Sequence, residues 1–88
     1  MTFEWDGEKA RANWAKHGVS FDLAEKFEFA TALEYEDRDA IGEVRFVAVG
    51  LIGDRVYTMA YTERGEAVRV ISLRYATRQE IRRYVENL

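Results

Sequence analysis

Val44-Arg45-Phe46-Val47-Ala48-Val49-Gly50-Leu51-Ile52-Gly53-Asp54-Arg55-Val56-Tyr57-Thr58-Met59-Ala60-Tyr61-Thr62 decides the fold. Both halves are rich in β-branched and aromatic residues, which suit a pleated, half-buried surface. Gly53-Asp54 between them is a two-residue hairpin signal, with glycine first as a II′ turn prefers. Counting back from that turn sets Ile52 against Arg55, Val47 against Ala60 and Arg45 against Thr62. Paired residues share a face of the sheet. Phe46, Met59 and Tyr61 therefore form an apolar surface, and Arg45 and Thr62 point the other way.

Working outward, Glu63-Arg64-Gly65-Glu66 is a second turn and Ala67 to Leu73 another strand. This register sets Thr62 against Ala67 and Ala60 against Arg69 and adds Val68 and Val70 to the apolar surface. It brings Arg45, Thr62 and Arg69 together at one end of the polar face, with Arg64 in the adjacent turn. Thr77-Arg78-Gln79-Glu80 is a capping box that opens a helix to Asn87. The inner face of that helix, by i, i+3, i+4, i+7 spacing, is Ile81, Tyr84, Val85 and Leu88.

Toward the N-terminus, Thr31 to Tyr35 is strand-like and residues 36–42 are a polar loop. Ser20 caps a helix over Phe21 to Phe29, with Asp22 near its positive end and Val19 and Ala24 as a staple. Asp6 caps a helix from Gly7 to His17, and Gly18 supplies its stop. Phe3-Glu4-Trp5 is a short edge strand. The order β-α-α-β-β-β-β-α predicts an α+β domain, an antiparallel sheet with flanking helices.

The 88 residues suffice for one domain, residues 1–88. Hydrophobic residues at 48% and charged residues at 33% are globular proportions and exclude a disordered chain. The first residues carry neither a basic nor an apolar leader segment, and no stretch approaches a membrane span, so a cytoplasmic protein is expected. One histidine and no cysteine leave no ligand set for zinc, and no glycine-rich phosphate loop precedes a helix. No metal and no cofactor are expected. Net charge is −3, whereas a chain that grips nucleic acid by its overall field is basic. Any polyanion site must be a local basic patch on an acidic body.

Three features carry candidate chemistry. The guanidiniums of Arg45 and Arg69 beside the Thr62 hydroxyl make a fork for phosphate or carboxylate; the bland alternative is ion pairing with Glu43, Glu63 or Glu66. On the first helix, Lys9, Asn13, Lys16 and His17 share one side and Ala10 and Trp14 the other. That polar stripe either lines a nucleic-acid groove or is simply solvated. His17 lies at a helix C-terminus, where the dipole should help it hold its proton; an imidazole suits acid–base work near neutral pH, and the bland alternative is a purely structural histidine. Around the last helix, Arg74, Arg78, Arg82 and Arg83 add cations, and Tyr57, Tyr61, Tyr75 and Tyr84 are either core or base-stacking.

The assembled pattern resembles the BrnT family, toxins of type II toxin–antitoxin pairs. The resemblance runs through Phe3-Glu4-Trp5-Asp6, Lys9, Asn13, Lys16-His17-Gly18-Val19-Ser20-Phe21 and Ala24. It continues in Glu43, Arg45-Phe46, Gly50, Tyr61-Thr62-Glu63-Arg64, Arg69-Val70-Ile71-Ser72, Arg74, Ala76-Thr77-Arg78, Glu80 and Tyr84. Leu73 and Tyr75 depart from it, standing where the family commonly has alanine and lysine. The resemblance implies a RelE-like fold and a ribonuclease that inhibits translation. It also implies neutralisation by a BrnA-like antitoxin whose ribbon-helix-helix domain does the DNA binding, the pair forming a heterotetramer. On this reading the chain is a metal-independent endoribonuclease. His17, Arg45, Arg64 and Arg69 carry catalysis, and Lys9, Lys16, Arg74 and Arg78 hold RNA. The alternative is a non-catalytic module that acts only by binding its antitoxin in transcriptional autoregulation.

Overall fold

The computed structural model describes residues 1–88. In chain order the elements are β1 (Thr2–Glu4), α1 (Gly7–His17), two 3-10 helices (Phe21–Lys26 and Phe29–Thr31), β2 (Leu33–Asp37), β3 (Arg45–Ile52), β4 (Arg55–Arg64), β5 (Ala67–Tyr75) and α2 (Arg78–Glu86). No helix is long and apolar enough to cross a membrane.

Local chemistry sets the element ends. The Asp6 carboxylate accepts from the Lys9 N–H at 3.2 Å, and Gly18, at φ 67°, lets the chain leave α1 in a left-handed turn that a Cβ would disfavour. Thr77 and Glu80 close both halves of the capping box on α2. Gly53 takes φ 64° in the β3–β4 turn.

Two expectations need correction. The sheet is mixed, not antiparallel throughout: its order is β1-β5-β4-β3-β2, with β1 parallel to β5. β1 and then α1 run along the outer edge of β5 in its own direction, which no local signal encodes. The expected second helix is a 3-10 helix, six residues long. Phe21, Ala24 and Phe27, all buried, repeat every three residues, which is the 3-10 period and not the α period.

α1 and the 3-10 segment cover one face of the sheet. There Met59, Val70, Leu73, Ala24 and Val19 are almost fully buried, and Phe3, Phe29, Tyr61 and Phe46 form a chain of ring contacts with centroids 5.6–6.3 Å apart. Gly50 permits this packing, because a Cβ there would lie 3.0 Å from both Ala32 Cβ and the Phe27 ring. On the other face α2 covers only part of the sheet. Of its expected inner face, Tyr84 alone is buried, while Ile81, Val85 and Leu88 are exposed. This nine-residue helix rests on the sheet through Glu80 and Tyr84, so its apolar stripe is turned to one side.

Candidate active site

The β3–β4 register is as counted, with Ile52 against Arg55 and Val47 against Ala60. The β4–β5 register is two residues off the expectation: Thr62 pairs with Arg69 and Arg64 with Ala67. The turn is Gly65-Glu66, with Gly65 at φ 61°, and Glu63 and Arg64 continue the strand. A two-residue shift keeps every side chain on its face, so Arg69 stays on the open face and moves directly beside Thr62. One row then crosses all five strands: Glu4 beside Arg69, Arg69 beside Thr62, Thr62 next to Arg45 across the β3–β4 ladder, and Arg45 beside Asp37.

Of the expected acids Glu43 alone takes part, and an unexpected one, Glu4, joins it. Arg69 pairs with Glu4 of β1 at 2.8 Å, and Arg64 with Glu43 at 3.1 Å, while Arg45 has no carboxylate within ion-pairing distance. Arg45 Nε and Thr62 Oγ1 are both buried with no hydrogen-bond partner, and Thr62 is 1% exposed. Unsatisfied buried polar groups are rare and costly. Arg45 and Thr62 are next to each other in the row, so the fold leaves two unpartnered polar groups at its centre.

A β-bulge extends the row toward the histidine. Tyr61 pairs with Val70 but Ala60 with Ser72, so Ile71 is the extra residue on β5. Without it Arg74 and Arg69, five positions apart, would point to opposite faces. With it Arg69, Ser72 and Arg74 share the open face, and Val70 and Leu73 both enter the core. The spacing Val68, Val70, Leu73 breaks strict alternation and was the available signal in the sequence.

α1 seals the outer edge of β5 just there. The Asn13 side chain donates to Leu73 O (2.7 Å) and Val19 O (3.0 Å) and accepts from the Leu73 N–H (3.1 Å), so its amide stands in for one residue of a neighbouring strand. Asn13 is therefore 6% exposed and structural, although it shares its helix side with Lys9, Lys16 and His17 as expected. Those residues line a groove of about 230 Å³ whose far wall is Ile71 and Ser72 of the bulge. A larger apolar groove of about 280 Å³ lies along α1 between Trp5, Trp14 and Phe21. It holds no histidine, its charged lining being Arg11 and Asp22, and Trp14 on its wall is mostly exposed.

His17 differs from expectation in the direction of its pKa. Burial, the neighbouring Lys16 ammonium and the Arg74 guanidinium push it below the ordinary histidine value, the opposite direction to the one expected from the helix end alone. The shift favours the neutral imidazole, the form that accepts a proton.

Arg74 itself is clamped. Its two terminal nitrogens donate to the two Glu80 oxygens at 2.8 and 3.0 Å, and the same carboxylate accepts from the Thr58 hydroxyl and the Thr77 N–H. Chiefly through Arg74, this holds Glu80 at about 2. A depressed carboxyl contributes stability that is complete above its ordinary range and is lost as pH falls toward about 2. Replacing Glu80 by glutamine should cost about 2 kcal/mol at neutral pH, allowing for partial solvent screening. It should also flatten the acid limb of stability between pH 4.5 and about 2. Urea melts across that range check both; a variant with the wild-type acid limb would show that Glu80 is not its source.

The structure thus brings together Arg45, Arg69 and, through Ser72, the groove of His17, Lys16 and Lys9. Arg64, at the end of β4, is solvent-exposed and occupied by Glu43, and Arg78 stands exposed at the start of α2. Ser72 and the bulge at Ile71 are the parts of the site that sequence reasoning did not assign a role.

Comparison with known proteins places the chain in a family. A family model described as "Ribonuclease toxin, BrnT, of type II toxin-antitoxin system" matches residues 5–80. The 1.1 Å crystal structure of the Brucella abortus ribonuclease toxin BrnT is similar, with TM-score 0.72 and 30% sequence identity over 89% of this chain and 99% of that one. Comparison with curated proteins finds no match. The chain belongs to the BrnT family of ribonuclease toxins of type II toxin–antitoxin systems.

Proposed function

We propose that the chain is an endoribonuclease that needs no metal ion and uses His17 together with the arginine row of the open face. The observation that carries this reading is continuity: Ser72 belongs both to the wall of the His17 groove and to the face of Arg69, Thr62 and Arg45. In the proposed reaction the neutral His17 imidazole takes the proton of an RNA 2′-hydroxyl, whose oxygen attacks the adjacent phosphorus. The bond to the 5′-oxygen breaks, a 2′,3′-cyclic phosphate forms, and the imidazolium returns its proton to the departing oxygen. Arg45 and Arg69 hold the charge that builds on the phosphorane, where positioned cations are often the largest single contribution. Lys9 and Lys16 line the groove as contacts for the RNA backbone, and Arg64, Arg74 and Arg78 are secondary cations around it. Cleavage of messenger RNA would inhibit translation in the cytoplasm, on a fold of RelE type.

The donor set supports metal independence, since no three His, Cys, Asp or Glu side chains converge anywhere in the chain. Purified protein incubated with single-stranded RNA should cut it equally well with and without EDTA. Cleavage abolished by the chelator and restored by added magnesium or manganese would overturn the mechanism.

Membership of a type II family implies an antitoxin. We propose a BrnA-like partner with a ribbon-helix-helix domain, two copies of each chain, and DNA contact through the antitoxin alone, because net charge −3 disfavours operator binding by this chain. The exposed Ile81, Val85 and Leu88 of α2, with Arg78 and Arg82 beside them, offer that partner an apolar seat with a basic rim next to the arginine-bearing face.

A further inference from the structure

We infer that Tyr35 is a base-stacking residue, and that the open face of the sheet is a channel for single-stranded RNA running across the strands from Tyr35 to His17. The inference rests on the ribonuclease reading and adds to it the far end of the substrate path.

The register supplies the channel. Tyr35 of β2 pairs with Val47, Val47 with Ala60, and Ala60 with Ser72, one unbroken row over β2, β3, β4 and β5. Its middle is low, being Val47, Ala60 and Ser72. The arginine row is its neighbour on one side, two residues or about 7 Å away along β2, β3 and β4, and three residues away on β5, where the bulge intervenes. On the other side lie the row of Thr58 and Arg74 and the Glu80 end of α2. The row opens at Ser72 into the His17 groove. Three interstrand spacings separate Tyr35 from Ser72, about 14 Å, which is room for a few nucleotides and too narrow a shelf for a duplex.

Tyr35 closes the opposite end and is 43% exposed. The other large aromatics do not serve this face. Tyr57, Tyr61 and Tyr84 are buried, and burial pushes the Tyr61 phenol up to about 12. Tyr75 lies on the helix-covered face against Tyr57, with the Arg55 guanidinium 4.1 Å above its ring. Trp14 borders the apolar groove of α1. An exposed ring at the end of an open row, with Arg45, which has no ion-pair partner, one row away for the phosphate, matches the arrangement by which proteins hold single strands: charge for the backbone and an aromatic face for the base.

The test uses a short fluorescent single-stranded oligoribonucleotide, with binding measured in a His17→Ala background to prevent cleavage. Adding Tyr35→Ala should weaken binding about tenfold, the usual effect of removing one stacking ring. Tyr35→Phe and Tyr35→Trp should bind as the background does. Oligonucleotides made abasic at one position at a time should show one position whose base matters with Tyr35 and ceases to matter in Tyr35→Ala. Unchanged binding in Tyr35→Ala would overturn the proposal, and so would a Tyr35→Phe loss as large as that of alanine, which would assign the effect to the hydroxyl. In either case RNA cleavage by the wild-type protein, measured in parallel, would leave the ribonuclease reading standing. A wild-type protein that neither binds nor cuts the RNA would remove both.

Discussion

Replacing His17 by alanine should lower RNA cleavage by about 10²–10⁴-fold, the usual worth of a general acid–base group, while the fold stays intact. His17 is the last residue of α1 and makes no side-chain hydrogen bond or ion pair that the fold depends on. Arg69→Ala should fall in the same range, because it removes a cation from the proposed phosphate site and leaves Glu4 unpaired there. The pH profile separates a chemical role for His17 from a merely structural one. The imidazole acts as a base only when neutral, so activity should fall as pH drops through its pKa. Burial, Lys16 and Arg74 lower that pKa, and the acid limb should therefore lie below 6.5. Lys16→Gln removes one of those causes and should move the limb upward, toward the ordinary value. If purified His17→Ala and Arg69→Ala cut RNA at the wild-type rate, the site lies elsewhere on the molecule.

The largest loss of stability is expected at Asn13. Alanine there would strand the Leu73 N–H, the Leu73 carbonyl and the Val19 carbonyl inside the protein. With each abandoned group costing on the order of 1 kcal/mol or more, the total should be about 3 kcal/mol. For a chain of this size that corresponds to a melting temperature lower by about 15 °C. Asn13→Asp should not rescue it: a carboxylate still accepts from Leu73 N–H, but it turns an acceptor toward two carbonyl oxygens that need a donor. Thermal unfolding followed by circular dichroism decides the matter. A melting temperature within about 3 °C of wild type for Asn13→Ala would show that water replaces the amide and that this edge of β5 is not sealed by α1. Activity should suffer as well, since the same contact sets the His17 groove against the bulge at Ile71 and Ser72.

The sequence by itself determined whatever depends on neighbours a few positions apart. Asp6 and Gly18 bounded α1 to the residue, Thr77 and Glu80 declared the start of α2, and Gly53-Asp54 fixed the β3–β4 hairpin and with it the faces of Arg45, Val47, Ala60 and Thr62. These are cap and turn signals, in which a side chain or a positive φ acts on its own stretch of backbone. Tertiary structure decided the rest. The parallel placement of β1, the bulge that sets Arg74 on the face of Arg69, and Glu4 as the partner of Arg69 all arise from pairings between distant segments. Asn13 looked like a solvated helix residue, yet its amide completes a strand edge 60 positions away. Ile81, Val85 and Leu88 looked like core, yet α2 meets the sheet through Glu80 and Tyr84. His17 illustrates the physical reason most directly. Its helix position argues for a raised pKa, but the burial and the charge of Arg74 that lower it exist only once β5 has folded against α1.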